Sequence, residues 1–189
     1  MQYLFEAWCR DPRPLLFAEY LDELYRSWDV CTPASHMGQE LAELYRDCHC
    51  RIQSDQRFAL CYVGIDHLQR DGRPKGVSLL SRILRDAIQR HCPRDGLVAY
   101  LGGGNFMLLS GVASIVPLCT EICDLFDTQV PRVENTVLAL SIGVVTNEKR
   151  AIVHFGQATE LVMEMRRYAE TLPGSIFVVD RRDESVEPA

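Results

Sequence analysis

Along the 189-residue chain, apolar positions alternate between helical and strand periodicity. Residues 14–28, PLLFAEYLDELYRSW, place Leu16, Phe17, Tyr20, Leu21, Leu24, Tyr25 and Trp28 at helical spacing behind Pro14, a residue suited to a first helical turn. That face is wide and aromatic for so short a helix, so it needs a cover, either the rest of the chain or a second copy. The pattern breaks at DVCTPASHM (29–37) and resumes as a second amphipathic helix over about 38–54, with Leu41, Leu44, Tyr45, Cys48 and Ile52 on one face. FALCYVGI (58–65) is a continuous apolar run, the mark of a central strand. RDGRPKG (70–76) reads as a turn. Val77, Leu80, Ile83, Leu84, Ala87 and Ile88 form the stripe of a third helix that stops near Pro93.

LVAYL (97–101) and FMLLS (106–110), with glycines between them, predict a β-hairpin. A helix is expected over 113–126, a buried strand at VLALSIGVV (137–145), and a last helix over 152–170 that buries Ala158, Leu161, Val162, Met165 and Ala169. SIFVVD (175–180) closes the pattern as a strand, and RRDESVEPA is a polar tail expected to fray. Past the two N-terminal helices the order is β-α-β-β-α-β-α-β. Its first six elements match the ferredoxin-like βαββαβ arrangement. The expected fold is therefore α+β, a central, mostly antiparallel sheet of about five strands with helices packed around it. In the ferredoxin-like arrangement the helices lie on one face and the middle hairpin lies centrally. A site at the end of the first strand would share an edge with the hairpin tip. The expected division is a helical extension (1–28), the α+β domain (29–181) and a polar tail (182–189).

Charge narrows the partners. The formal net charge is −6 and no basic block stands out, which argues against a nucleic-acid or anionic-membrane surface. No apolar run is long enough to span a bilayer, and MQYLFEAWCRDPRP lacks the features of a signal peptide, so a cytoplasmic location without membrane insertion is expected. Eight cysteines invite a metal reading, but no repeated C-x-x-C occurs. Cys48 and Cys50 flank His49 at a spacing that points to different helix faces. Cys119 and Cys123 fall in register with Val116 and Phe126 and read as core. Free, mostly buried thiols and no metal are expected. No serine sits in a nucleophile elbow; Ser141 reads as a strand residue. His67 reads as solvated. So do Glu164, Arg166 and Arg167 on the last helix, and Glu40, Glu43 and Asp47 on the second.

The order of elements and five segments together resemble the GGDEF domain, the diguanylate cyclase fold of bacterial second-messenger signalling. DVCTPASHM is similar to the family's D-x-L-T-G-L-x-N-R, keeping Asp29 and Thr32. FALCYVGIDHLQ resembles F-A-L-L-x-x-D-I-D-x-F-K, and LVAYLGGGNFMLL resembles L-V-A-R-Y-G-G-D-E-F-x-x-L. LALSIGVV resembles the V-S-I-G-V strand, and LPGSIFVVDRR resembles the closing strand of a subgroup often attached to response regulators. The resemblance covers about residues 29–180 and implies the nucleotidyl-cyclase palm fold.

It also implies where chemistry would sit. The family condenses two GTP molecules on a dimer with Mg²⁺, a hard cation that wants charged oxygen ligands. The two metal-binding acids fall on Gly64 and Asn105, and the other acid of the signature on Gly104. Asp66 keeps the second acid of D-x-D; a cyclase using it in place of Gly64 would need its side chain to reach the same side, and it is expected on the other face of the strand. The guanine-reading positions fall on Gly72 and Ser81, the phosphate-contacting Lys on Gln69, and the Arg before the signature on Tyr100. The product-inhibition pair falls on Pro93 and Gly96, with Arg94 and Asp95 beside them reading as an exposed turn. Gly102 and Gly103 shape the hairpin turn, while Gly104 and Asn105 read as losses of functional acids. Their loss also removes carboxylate repulsion, so it is expected to stabilise the fold.

The resulting expectation is a catalytically inactive GGDEF-like domain with no cofactor, acting through a protein partner in a regulatory or scaffold role. Its candidate surfaces are the extension helix (Leu16, Phe17, Tyr20, Leu24, Trp28), through which it could also pair as a homodimer, and the former active-site edge. The alternative is a nucleotide sensor that binds GTP or cyclic di-GMP without turnover.

Overall fold

A computed structural model of the chain describes residues 36–68, 73–130 and 138–183. The predicted extension helix, Gln69, Gly72 and residues 184–189 lie outside them. The described elements are α1 (His36–Gln53), β1 (Ala59–Asp66), α2 (Arg73–His91), β2 (Leu97–Gly102), β3 (Asn105–Ser110), α3 (Val112–Gln129), β4 (Ala139–Thr146), α4 (Phe155–Ala169) and β5 (Ile176–Val179). The α+β order predicted from periodicity is the order observed.

The sheet runs β2-β3-β1-β4-β5, antiparallel throughout except for the parallel β4–β5 pair. β1 is therefore central and the hairpin lies to one side with β2 at the edge, not in the centre as expected. Helices cover both faces, as expected of a sheet with helices packed around it and unlike the one-sided ferredoxin-like unit alone. On one face α2 and α3 enclose Cys61, Val63, Leu80, Leu84, Phe106, Leu108, Leu118, Ile122 and Phe126. On the other, α1 and α4 enclose Leu41, Leu44, Leu60, Tyr62, Met107, Phe155 and Val162. The second layer comes from helices outside the six-element ferredoxin-like unit. Two covered faces explain why β1 reads as an unbroken apolar run: only Asp66 at its end escapes full burial.

Several element ends depart from the sequence pattern for local reasons. Arg73–Gly76, expected as turn, is the first turn of α2, where Pro74 is tolerated because its missing N–H has no intrahelical partner there. α4 starts at Phe155 and not near 152 because His154 caps it: the Gln157 backbone N–H donates to His154 Nδ1 (2.9 Å), and the Val153 N–H donates to Gln157 Oε1 (2.9 Å). Within α4, Met163 takes the buried place expected of Met165, and Leu161 is only half-buried. On α3, Cys119, Cys123 and Phe126 are core as expected, whereas Val116 is exposed. Residues 181–183 do not behave as a loose tail. Arg182 makes a bidentate pair with Glu164 (2.8 and 2.9 Å) and bonds Asp180 (2.8 Å), tying the end of β5 back to α4. Glu164 is thus exposed but paired.

Candidate functional site

The site begins with strand register. Gly64 on β1 lies directly opposite Asn105 on β3 and Ser141 on β4. Paired residues share a face, and residues two apart on a strand share it too, so Gly64, Asn105, Ser141 and Asp66 all look toward α4. This corrects the expectation that Asp66 points away from Gly64: period-two geometry puts both on one side. The two positions that the resemblance assigns to metal-binding acids do meet, but they meet as a glycine and an amide.

Arg166 fills the space over Gly64. A Cβ built on Gly64 would lie 2.7 Å from both Nε and Nη2 of Arg166. The guanidinium bonds Asp66 Oδ1 (3.4 Å) and Glu170 Oε1 (2.6 Å) through Nη2, and its Cζ sits 5.5 Å from the centre of the Tyr62 ring. Ser141 Oγ donates to Asp66 Oδ2. Arg166 Nε is buried with no hydrogen-bond partner among the described residues. Arg166 is therefore turned inward, not part of the solvated face that the helix pattern suggested; Arg167 beside it is exposed. What brings it there is Gly143, opposite Tyr62 on β4, where a Cβ would lie 2.1 Å from the Val162 carbonyl oxygen and 2.5 Å from the Arg166 nitrogen. Two glycines on neighbouring strands thus let α4 sit against the sheet. Sequence reasoning missed Arg166, and the signal available was glycine inside strand runs, which marks close backbone approach.

Asp66 is held above the ordinary carboxylate range. Burial is the larger effect; the Ser141 hydrogen bond and the charges of Arg166 and His67 pull the other way. A carboxylate already shared between Ser141 and Arg166, beside a glycine and an amide, is a poor donor set for Mg²⁺, and the residues present do not fit a metal pair. Among the described residues no cluster of three or more His, Cys, Asp or Glu is arranged to hold a metal.

At the hairpin tip, Gly102 pairs with Asn105, leaving Gly103-Gly104 as a two-residue turn. All three glycines have positive φ: +91°, +62° and +86°. A Cβ on Gly104 would also meet Leu68 Cδ2 at 2.6 Å. The third glycine is therefore demanded by the turn and its packing, not only by the absence of an acid. Asn105 Nδ2 donates to the Gly102 carbonyl (3.1 Å), closing the turn from within.

Two clefts flank the hairpin. One, of about 540 Å³, is walled by Glu40 of α1, Val77, Ser81, Arg85 and Asp86 of α2, and Tyr100 of β2. It contains Ser81, one of the two guanine-reading positions that the resemblance assigns. The Tyr100 ring packs on Phe106 with centroids 4.9 Å apart. Glu40 lines this cleft and accepts a long bond from the Tyr100 N–H (3.4 Å), so it does not simply face solvent. The other cleft lies at the start of β2 beside Arg94 and Asp95. There Arg51 is buried, bonding Asp47 (2.9 Å) and the Asp95 carbonyl (2.8 Å). Asp47 is accordingly paired, while Glu43 is exposed. Gly96, the expected place of the product-site Asp, is packed so closely that a Cβ would lie 2.7 Å from Cys92 Cβ and Ile88 Cγ2.

No protein-family model and no curated protein matches the sequence. Solved structures do match the fold. The active GGEEF domain of a diguanylate cyclase from Vibrio cholerae superposes with a TM-score of 0.61 at 13% identity, over 75% of this chain and 94% of that one. The fold is that of a GGDEF domain. The diguanylate cyclase SiaD from Pseudomonas aeruginosa, solved in complex with its activator SiaC, matches with a TM-score of 0.63 at 16% identity, over 87% of this chain and 68% of that one. The GGDEF domain of DgcB from Caulobacter crescentus, in complex with c-di-GMP, matches at 0.54 and 16% identity, over 73% of this chain and 86% of that one. Among the described residues of this GGDEF fold, no helix is long and apolar enough to cross a membrane.

Proposed function

We propose that this chain is a non-catalytic GGDEF-like domain of a cytoplasmic bacterial signalling pathway whose output is protein binding. One observation carries the reading: the positions facing each other across β1 and β3 are Gly64 and Asn105, and the space at Gly64 is taken by the Arg166 guanidinium. A fixed cation there opposes a divalent metal ion by charge and by volume, and without the metal the phosphates of two GTP molecules have nothing to hold them for reaction. That SiaD is seen with a protein activator supports regulation through protein contacts in this fold. The segment before α1 and the hairpin edge are the surfaces proposed to meet a partner.

A second reading, a nucleotide sensor without turnover, draws on the cleft beside Ser81, which persists at about 540 Å³. Thermal melts with Mg²⁺–GTP and with cyclic di-GMP, each at about millimolar concentration, separate the two, since a ligand that binds the native state raises its stability. No shift, and no cyclic dinucleotide formed on incubation with Mg²⁺–GTP, is the expected result. A shift without product would favour the sensor, and product formation would overturn both readings.

A further inference from the structure

We infer that Cys50, which lines the cleft between the end of α1 and the start of β2, is a modification site for a small carboxylate-bearing thiol, held there as a mixed disulfide. The inference stands apart from the non-catalytic reading and uses none of the residues around Gly64. The cleft is about 490 Å³, within the range of about 300–1,000 Å³ usual for small-molecule pockets. Cys50 is exposed, whereas Cys48, Cys61, Cys92, Cys119 and Cys123 are buried. On α1, Glu43, Arg46 and Cys50 stand three and four residues apart, a spacing that puts them along one side of the helix. Arg94 joins them from the turn before β2. Among the described residues, Glu43, Arg46 and Arg94 are exposed and form no hydrogen bond or ion pair.

Arg51, beside the thiol, is what points to a ligand. Its side chain is 5% exposed. Nε and Nη2 bond Asp47 (2.9 and 2.7 Å), and Nη2 also bonds the Asp95 carbonyl (2.8 Å). Nη1 is buried without a hydrogen-bond partner among the described residues, since Asp95 Oδ2, at 3.9 Å, is out of hydrogen-bond reach. Buried donors are ordinarily satisfied, so Nη1 is short of an acceptor that the described residues do not supply. The charges around it say what kind. Arg46 and Arg94 suit anionic groups, but Glu43, Asp47 and Asp95 share the same lining and oppose a molecule that is anionic throughout. A molecule with two carboxylates and one ammonium answers both signs. Glutathione has that pattern with a thiol between: carboxylates for Arg46, Arg94 and the Arg51 Nη1, and an ammonium for Glu43. The step is thiol–disulfide exchange. Cys50 loses its proton to solvent, and its thiolate attacks one sulfur of glutathione disulfide. The new S–S bond forms as the old one breaks, and the second glutathione leaves as a thiolate. Cys50 is oxidised and the leaving glutathione reduced, and free glutathione reverses the step.

The full-length protein is incubated with glutathione disulfide or with the neutral 2-hydroxyethyl disulfide, and peptide mapping follows the mixed disulfide at Cys50. Each rate is divided by the rate at the same site in the urea-unfolded chain. The expected result is a preference for glutathione disulfide of about tenfold, as two exposed charge pairs together would supply. Arg46→Gln combined with Arg94→Gln is expected to remove that preference and to leave the rate with 2-hydroxyethyl disulfide unchanged. If circular dichroism shows the double variant unfolded, either single substitution takes its place and is expected to lower the preference about threefold. Absence of the mixed disulfide at Cys50, or a preference no greater than in the unfolded chain, overturns the proposal. So does a preference that survives the arginine substitutions. A variant slowed equally with both disulfides also overturns it, because the arginines would then act on the thiol and not on the carboxylates. No nucleotide enters these measurements, so a negative result leaves the non-catalytic reading standing.

Discussion

Single residues here act mainly through the volume they leave empty. Gly64 and Gly104 are both places where the resemblance expects acids, yet each glycine has its own physical cause. At Gly104 the cause is backbone: φ is +86° and Leu68 stands where a Cβ would go. Gly104→Ala is expected to lower stability by about 1–3 kcal/mol in urea unfolding, and Gly103→Ala, with open space to 3.4 Å, by less. The same strain falls on Gly104→Asp, so restoring the acid should not stabilise the hairpin. At Gly64 the cause is a neighbour. Gly64→Ala is expected to cost on the order of 1–3 kcal/mol with Arg166 in place and distinctly less in an Arg166→Ala background, a coupling that a double-mutant cycle of melts would measure. That Gly64 and Asn105 face each other was legible from the motif register, and the strand pairing has them opposite. Arg166 was not, because its helix reads as amphipathic with either orientation of one polar residue. What turns it inward is a pair of glycines on strands distant in sequence.

At the scale of elements, periodicity was a good guide wherever packing is two-sided or strictly one-sided. β1, the stripe of α2 and the hairpin lie where the pattern puts them, within a residue or two. The misplacements are at ends, where local bonds decide: the His154–Gln157 cap of α4 and the Arg182 ties beyond β5. The last of these makes a pH prediction. Burial pushes the Asp180 carboxyl up, but hydrogen bonds from the Arg182 side chain and backbone, with the charges of Arg182 and Arg150, hold it net below the ordinary 3.8. A depressed folded value means its contribution is present above that pH and is lost as acid carries the solution down through the folded value. Asp180→Asn is therefore expected to lower the neutral-pH melt, by on the order of 2 kcal/mol, and to flatten the acid limb below pH 3.8. Melts recorded across pH would show either the predicted flattening or a parallel limb, and the latter would mean that Asp180 does not drive it.

For the whole molecule, the sheet divides the interior into two cores, and the thiols are distributed through both. Cys48 lies in the α1–α4 layer, whereas Cys61, Cys92, Cys119 and Cys123 lie in the α2–α3 layer. Burial pushes Cys48 and Cys123 up to about 12, so in the native state they are scarcely nucleophilic. Among the described cysteines, Cys50 is exposed and is expected to react with a thiol reagent at once, the others only as the domain opens; peptide mapping of the labelled sites would check this. Which helix covers which face was not readable from the chain, since helices that cover opposite faces carry the same amphipathic signature. The inward arginine has a broader consequence. A cation delivered by the polypeptide cannot be diluted, chelated or exchanged. The fold of this domain should accordingly be indifferent to EDTA and to cellular magnesium supply.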